Sequence, residues 1–326
     1  MNNFAKLALE NGGSIHPLII PSKLTNGTGL MNPSILVDGD KIRVIVRHVN
    51  YTFYHSEEKL FQHQWGPLTY VHPENDMHLR TINYYCELDE NYKITRYNKI
   101  DTSKFPEKEL WDFVGLEDAR IFKWDGKLYT SGVRRDLDTI GTGRMELCEI
   151  IVTKDSVKEV SRFRIPPPKD PNSYCEKNWM PILDKPYHYI KWGNPTEVVK
   201  VNPKTETCET VSLSNAIWMP RDLRGGSQVI SAGDFYIACT HEVNLFKSEV
   251  GRKDAVYRHR FIVWDKNFNI VKYSKDFSIM DGHVEFCIGM DRHKGNLLMT
   301  FGFQDNAAYV LQVPEKIVEE FINDKN

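Results

Sequence analysis

The stretch ILVDGDKIRVIVRH (residues 35–48) decides the fold, because it holds two apolar strands joined by a tight turn at Gly39. Apolar runs on either side of a glycine turn are typical of a β-hairpin. The pattern recurs in ARIFKWDGKLYTSGVRR (119–135), MPILDKPYHYIKW (180–192), SQVISAGDFYIACTHE (227–242) and EFCIGMDRHKGNLLMTFGFQD (285–305). The five turns, at Gly39, Gly126, Pro186, Gly233 and Gly295, lie about 64 residues apart on average.

A hairpin repeated at this period predicts a radial β-repeat, because each unit must stack on its neighbours to bury its apolar faces. We therefore expect an all-β fold, a five-bladed β-propeller with a short C-terminal helix at PEKIVEEFIND. One domain spanning residues 1–326 should hold blades at about 30–100, 113–165, 175–213, 225–275 and 283–313. The segment SIHPLIIP (14–21) is a candidate strand to complete the last blade.

The composition of the chain limits the kinds of binding partner that we expect. The formal net charge is −2 over 326 residues, so no overall basic field favours nucleic acid or an anionic membrane. No apolar run approaches the roughly 20 residues of a membrane-spanning helix. The six cysteines lack metal-binding spacing, which favours reduced thiols in a cytoplasmic protein. We expect no membrane partner and no nucleic acid, although a nucleic-acid acceptor stays open, as does a homo-oligomer.

Polar residues recur just before the first strand and just after the second strand of each hairpin. In a propeller these positions face one end of the central channel, so residues distant in sequence converge there. Carboxylates bind sugar hydroxyls and donate protons, and arginines clamp phosphate. The set therefore suits a sugar carrying phosphate. Its members are Asn32, Arg47, His48, Glu117, Asp118, Arg134, Arg135, Glu176, Lys177, Asn178, Lys191, Gly225, Gly226, His241, Glu242, His283, Glu285 and Asp305.

Five segments together resemble, in order, the motifs of the inverting β-mannoside phosphorylases and related β-1,2-mannosyltransferases. They are GLMNPSILV…VIVRH, VGLEDARIFKWDGKLY, CEKNWMPI, RGGSQVI…YIACTHEV and EFCIGM…LLMTFGFQDNAAYVLQV. The resemblance covers about residues 30–312 and implies a five-bladed propeller. The segment GLEDAR (115–120) is similar to the family's GxEDPR, which implies that Asp118 is the proton donor. In an inverting phosphorolysis phosphate itself attacks, so no second catalytic carboxylate is needed.

The resemblance also implies binding roles. Two departures weaken phosphorolysis: Lys191 stands near the place of an arginine, and Glu242 follows His241 where the family has glycine, so its charge would repel phosphate. Substrate binding falls to Asn32, Arg47, Glu117, Asn178, Glu285 and Asp305, and phosphate binding to Arg120, Lys177, Lys191 and His241.

The sequence thus predicts an inverting carbohydrate-active enzyme that uses a sugar 1-phosphate or nucleotide sugar and a saccharide or other hydroxyl acceptor. Transfer is favoured over phosphorolysis, mannose is the plausible sugar, and no cofactor or metal is expected. One alternative is an inverting hydrolase with Glu176 or Glu285 as its second carboxylate. Another is a non-catalytic propeller that binds glycans or proteins.

Two further sequence features stay open. A His-rich insertion covers residues 50–78 and has spacing too irregular to predict a metal site. A second set of residues could form a basic rim that binds a nucleotide diphosphate. The same residues could equally be solvated surface charges. The set comprises Arg134, Arg135, Arg144, Arg221, Asp222, Arg224 and residues 257–260.

Overall fold

The computed structural model describes residues 3–54, 69–71, 75–106, 108–220, 222–247 and 253–324. Its first elements are α1 (Phe4–Glu10), β1 (Ser14–Pro17), a 3₁₀ helix (Ser22–Leu24), β2 (Leu30–Asp38), β3 (Lys41–Val49), β4 (Thr52–Tyr54), β5 (Thr69–Val71), β6 (Leu79–Leu88), β7 (Ile94–Asp101) and β8 (Phe113–Val114). Most of the His-rich insertion, with His55, His63 and His72, lies outside the described residues, as does Arg221.

The remaining elements continue the strand pattern to the end of the chain. They are β9 (Glu117–Trp124), β10 (Lys127–Arg134), β11 (Arg144–Val152), β12 (Val157–Arg164), β13 (Met180–Pro181), β14 (His188–Trp192), β15 (Thr196–Asn202), β16 (Thr207–Ser214), β17 (Ile230–Ala232), β18 (Phe235–Lys247), β19 (Lys253–Asp265), β20 (Ile270–Tyr273), β21 (Glu285–His293), β22 (Asn296–Phe303), β23 (Ala307–Pro314) and α2 (Glu315–Asn323). The expected all-β class and the C-terminal helix are confirmed.

The described strands form five antiparallel runs of four, which we call units 1 to 5. Their orders are β2-β3-β6-β7, β9-β10-β11-β12, β13-β14-β15-β16, β17-β18-β19-β20 and β21-β22-β23-β1. Glycine permits the tight turns: Asp125 and Gly126, between β9 and β10, both have positive φ (49° and 77°), as a type I′ turn requires. A feature absent from the sequence prediction joins units 1 and 2, where β7 and β12 pair in parallel at Ile100 and Val157.

The N-terminal strand closes the last unit, as its sequence predicts. Strand β1 runs antiparallel to β23, with Ser14 opposite Gln312 and Pro17 opposite Tyr309. The first and last segments of the chain therefore share one sheet, and α1 and α2 pack beside it through Phe4 and Phe321, whose ring centroids lie 5.0 Å apart.

A buried glutamine fastens the first strands of the units to one another. Gln228 is 0% exposed and lies just before β17. Its Nε2 donates to the carbonyls of Ile35 (2.7 Å) and Ile121 (2.8 Å), and its Oε1 accepts from the Met290 amide (3.0 Å). These partners belong to units 1, 2 and 5, so one carboxamide from unit 4 fixes where three other first strands lie.

The apolar core fills the spaces between neighbouring sheets, and buried tryptophans connect them. Trp124 of unit 2 donates its Nε1–H to the Ile182 carbonyl in unit 3 (2.9 Å). Trp264 of unit 4 donates to Thr196 Oγ1 in unit 3 (2.9 Å). Because each indole buries a large apolar ring and satisfies its only donor across a sheet boundary, these contacts fix the packing of adjacent units.

We predict that Gln228→Leu lowers the free energy of unfolding by about 3 kcal/mol or more, because backbone groups of three strands lose their partner inside the core. Urea unfolding followed by fluorescence measures it. The matched control is Gln312→Leu, since Gln312 is half-buried and its side chain accepts one bond from Ser14; we expect a loss of about 1 kcal/mol. Equal losses in the two variants would contradict the central role of Gln228.

Candidate active site

Several polar residues at the strand ends have left-handed backbone. The φ angles of Asn32, Asp118, Asn178 and Asp305 are 43°, 52°, 61° and 50°. Asn and Asp accept this conformation more readily than other non-glycine residues. At Asn32 the pairing of β2 with β3 also shifts register, between Met31 and Ser34. Backbone outliers of this kind cluster at ligand sites, because packing elsewhere holds them in place.

The Asp118 carboxylate is the centre of this cluster. Its Oδ1 accepts from Asn32 Nδ2 (2.8 Å) and from Arg47 Nη1 (3.0 Å), both in unit 1. The Asp118 side chain keeps 15% of its surface exposed. Burial raises the pKa of its carboxyl, but the Arg47 charge and the Asn32 hydrogen bond outweigh burial and the net pKa lies below its ordinary value. Asp118 is therefore ionised at neutral pH.

Arg47 is the shared partner of the acidic side chains. It is 5% exposed, and its Nη2 lies 3.3 Å from Glu117 Oε2. Its Nε donates to Thr81 Oγ1 (3.0 Å), and its Nη2 donates to the Tyr51 hydroxyl (3.4 Å). These contacts hold the guanidinium in one position, where it stays paired with the carboxylates of Glu117 and Asp118. Neither Thr81 nor Tyr51 was predicted from the sequence, because neither carries a motif signal. Thr81 reaches Arg47 through the pairing of β3 with β6, and Tyr51 follows Arg47 by four residues.

Asp305 completes the acidic side from unit 5. Burial raises the pKa of the Asp305 carboxyl to about 6; Arg47 lowers it, and the Asp118 and Glu117 charges raise it further. Burial also raises the pKa of the Tyr257 hydroxyl, and the negative charges of Asp305 and Asp118 add to that effect. The site thus contains one carboxyl held ionised and one that readily takes a proton, a separation typical of acid–base sites.

Cations and a histidine supply the opposite side. The pKa of His241 lies well below its ordinary value, first because of burial, then because of His259, and then because of the positive charges of Arg224 and Lys177. Lys177 also lowers the pKa of Asp118, so its ammonium lies within electrostatic reach of both groups. The neutral His241 ring stacks on Tyr257, with centroids 5.4 Å apart. The structure therefore brings together Lys177 and His241, as predicted, and adds Arg224 and Tyr257.

Five buried polar atoms of the predicted site residues have no hydrogen-bond partner among the described residues. Such orphan atoms are rare in folded proteins and call for a bound water or ligand nearby. They are Asn32 Oδ1, Glu117 Oε1, Arg120 Nη2, Asn178 Oδ1 and His241 Nδ1.

Arg120 fixes the backbone of Asp118. It is 0% exposed, and it donates from Nη1 to the Asp118 carbonyl (3.0 Å) and from Nε to the Gly226 carbonyl (2.8 Å). Gly226 is itself tightly packed, since a Cβ there would lie 2.1 Å from the Cys239 carbonyl oxygen. Two nitrogen atoms of this guanidinium therefore position backbone carbonyls. Its third, Nη2, has no hydrogen-bond partner among the described residues, so the phosphate contact of Arg120 stays a prediction.

Two other expected ligand contacts also have internal partners. Glu285 is 0% exposed and accepts from the amides of Ile279, Met280 and Gly282, so its carboxylate stabilises a backbone turn. Lys191 donates to Glu176 Oε1 (3.1 Å). We correct the assignment of Glu285, whose carboxylate is fully buried among these amides. The Lys191 side chain keeps 18% of its surface exposed and has further N–H donors, so its phosphate role stays a prediction.

The basic rim is only partly supported. Arg134 is 1% exposed and pairs with Glu146 (2.8 Å), and Arg144 is 8% exposed and bonds to carbonyls, so neither faces solvent. Arg224 and Arg135 adjoin the site, as the contacts to His241 and Glu117 show. Among the described side chains no group of three or more His, Cys, Asp or Glu could hold a metal ion. In the same part of the chain no helix is long and apolar enough to cross a membrane.

Solved structures share this fold. A β-1,2-mannobiose phosphorylase from Listeria innocua, in complex with β-1,2-mannobiose, is similar with a TM-score of 0.58 at 12% identity, over 95% of this chain and 97% of that one. A mannose phosphorylase from Leishmania mexicana, in complex with phosphate, gives 0.52 at 13% identity, over 96% and 93%.

A third similar structure comes from the GH130 family of mannoside phosphorylases, which contains glycoside hydrolases that target β-1,2 mannosidic linkages in Candida mannan. It gives a TM-score of 0.60 at 14% identity, over 89% of this chain and 85% of that one. These similar structures thus include members of the family that the sequence motifs resemble. At 12–14% identity, the similarity shows a shared fold alone. No protein-family profile matches the sequence, and no curated protein sequence does.

The raised pKa of Asp305 predicts a pH dependence of stability. Between its ordinary pKa of 3.8 and the folded value of about 6, the folded state binds more protons than the unfolded state. Stability therefore falls as pH rises through this window. Asp305→Asn removes the effect, so we expect its stability relative to the native protein to improve by about 1–2 kcal/mol from pH 4.5 to pH 7.5. Urea unfolding at both pH values measures it, and a constant difference would contradict the assignment.

Proposed function

We propose that this chain is a five-bladed propeller enzyme that transfers a glycosyl group with inversion, using a donor that carries phosphate. The observation that carries the proposal is the ionised Asp118 carboxylate, held by Asn32 and Arg47, opposite the cationic side of the site at Lys177 and Arg224. The coarser conclusion, a carbohydrate-active enzyme, also agrees with the kinds of protein that share the fold.

The proposed step is a single displacement at the anomeric carbon. An acceptor hydroxyl oxygen attacks that carbon while Asp118 takes the hydroxyl proton, and the bond to the phosphate oxygen breaks with its electron pair. Lys177 and Arg224 stabilise the departing phosphate charge. Run backwards, phosphate attacks and Asp118 returns its proton to the glycosidic oxygen. Because the lowered pKa keeps Asp118 ionised before substrate binds, its resting form is the base that transfer needs.

The charge of Glu242 supports transfer less strongly than the sequence indicates. Glu242 pairs with Arg260, so its charge is compensated and repels phosphate less than an unpaired carboxylate would. The departure at Lys191, where lysine stands near the place of an arginine that clamps phosphate, remains as the sequence support for transfer. Mannose remains the proposed sugar, by the resemblance of the motifs.

The alternative functions have less support. Both candidate second carboxylates for hydrolysis have partners: Glu176 binds Lys191 and Trp179, and Glu285 binds backbone amides. A non-catalytic propeller would have an apolar channel mouth with Asp118 buried in an ion pair. Asp118 is ion-paired, but it is part-exposed and its surroundings are polar.

The first test replaces the proposed base. Asp118→Asn should lower kcat by about 10²-fold to 10⁴-fold while sugar binding is retained, because the amide keeps the shape but accepts no proton. The matched control is Asp125→Asn, which changes another aspartate of unit 2 with similar positive φ (49°), in an exposed turn; its rate should stay native. A near-native rate in Asp118→Asn would refute the mechanism.

The second test identifies the donor. We expect turnover with mannose 1-phosphate or a mannose nucleotide, and a KM for that donor about tenfold or more higher in Lys177→Ala, because the variant loses a phosphate charge partner. Lys200→Ala, an exposed lysine on the same unit, serves as control. Turnover of an unphosphorylated glycoside in water, with no donor used, would favour hydrolysis instead.

A further inference from the structure

An exposed aromatic ring lies beside the acidic side of the site. Tyr174 is 53% exposed, and the Arg135 guanidinium lies 5.8 Å from its ring centroid. Arg135 Nε in turn lies 3.8 Å from Glu117 Oε1, and Glu117 is paired with Arg47. Ile140 of the neighbouring loop is also exposed, at 64%. We call Arg135, Ile140 and Tyr174 the Tyr174 ledge.

The backbone beneath this ring is fixed on both sides. The Tyr174 carbonyl accepts from the Gly143 amide (3.0 Å), and the Glu176 amide donates to the Gly143 carbonyl (2.9 Å). Arg144, which is 8% exposed, donates to the Ser173 carbonyl (2.6 Å). An exposed aromatic ring on mobile chain would lose entropy on binding, whereas this one is held before any ligand arrives.

The loop that bears Ile140 is equally constrained. Asp138 accepts from the amides of Ile140 (3.1 Å) and Thr142 (3.0 Å). Gly141 packs on Trp111, where a Cβ would lie 2.3 Å from the indole, and its carbonyl accepts from Arg135 (3.2 Å). The loop therefore fixes the guanidinium on which the Tyr174 ring lies.

These groups match the chemistry of a sugar ring, which has an apolar face of C–H groups and a rim of hydroxyls. An aromatic face accepts the C–H side, while a guanidinium and a carboxylate bond the hydroxyls. Arg135 has five N–H donors, and two of them bond to the Gly141 carbonyl and to Cys175 Sγ. Arg135 lies next to Glu117, the neighbour of Asp118 in the chain, so the ledge adjoins the site at which the glycosyl group is proposed to react.

We propose that the Tyr174 ledge binds the second sugar of a saccharide acceptor, so that the enzyme elongates an oligosaccharide in preference to a single sugar. The inference rests on the proposed function, since it assigns the acceptor of that same site. Acceptor length is then determined by Arg135 and Ile140 and by Tyr174 in the segment before unit 3, and the proposed donor contact Lys177 follows Tyr174 by three residues in that segment.

Calorimetric titration with mannose, β-1,2-mannobiose and β-1,2-mannotriose tests this without turnover. The native protein should bind the longer saccharides more tightly than mannose, and Tyr174→Ala should weaken their binding about tenfold with little change for mannose. Tyr174→Phe should keep the preference, because the ring is retained. Trp218→Ala is the control, as Trp218 is exposed to a similar degree (55%) in another loop.

The outcomes separate this inference from the proposed function. Equal binding of all three saccharides, or no effect of Tyr174→Ala, overturns the ledge even if Asp118→Asn abolishes transfer. A loss of the length preference in Tyr174→Ala supports the ledge even if no phosphorylated donor is turned over. An equal loss in Trp218→Ala would show a nonspecific aromatic contribution and would also overturn it.

Discussion

The Gln228 carboxamide is the constraint on which the arrangement of the first strands depends. It is buried at 0% exposure and bonds to backbone groups of units 1, 2 and 5. Burying an amide costs free energy unless its polar atoms form hydrogen bonds. The three hydrogen bonds of Gln228 therefore stabilise the fold together, and a change at Gln228 removes all of them. This fixes where Asn32 and Asp118, each three residues before a strand residue that bonds to Gln228, lie relative to one another.

The site builds on that arrangement through Arg47. Without it, Glu117, Asp118 and Asp305 would place like charges together, and the repulsion would raise the pKa of Asp118 and Asp305. The guanidinium keeps Asp118 ionised, while the pKa of Asp305 still rises to about 6. Lys177, Arg224 and the neutral His241 face this group from units 3 and 4. The resulting separation of charge suits a substrate that is neutral at its hydroxyls and anionic at its phosphate.

Much of the fold could be predicted from the hairpins, because a Gly turn between apolar strands is a local signal. The sequence signals for the strand that completes the last unit and for the helix α2 are also local. The pairing of β7 with β12 was not, since it depends on how two outer strands meet. In the site, Asp118 and Asn32 carried a motif, and the structure brings them within 2.8 Å.

Residue roles were harder to predict than residue positions. Arg120 and Glu285 occupy motif positions, but whether such a charge faces a ligand or the backbone depends on the tertiary fold. The Gly226 carbonyl that accepts from Arg120 lies 106 residues further along the chain, so the motif gives no signal of it. The amides that bond to Glu285 lie only three to six residues before it, but nothing in the motif marks them as its partners. Thr81 was missed because it reaches Arg47 through the pairing of β3 with β6, and Tyr51 was missed because a tyrosine four residues after Arg47 carries no motif.

The most direct test of the account is a crystal structure with mannose 1-phosphate bound. The account predicts phosphate oxygens within hydrogen-bond distance of Lys177 and Arg224, with the Asp118 carboxylate facing the side of the anomeric carbon opposite the phosphate. Phosphate bound away from these cations, or Asp118 on the same side as the phosphate, would contradict inverting transfer at this site.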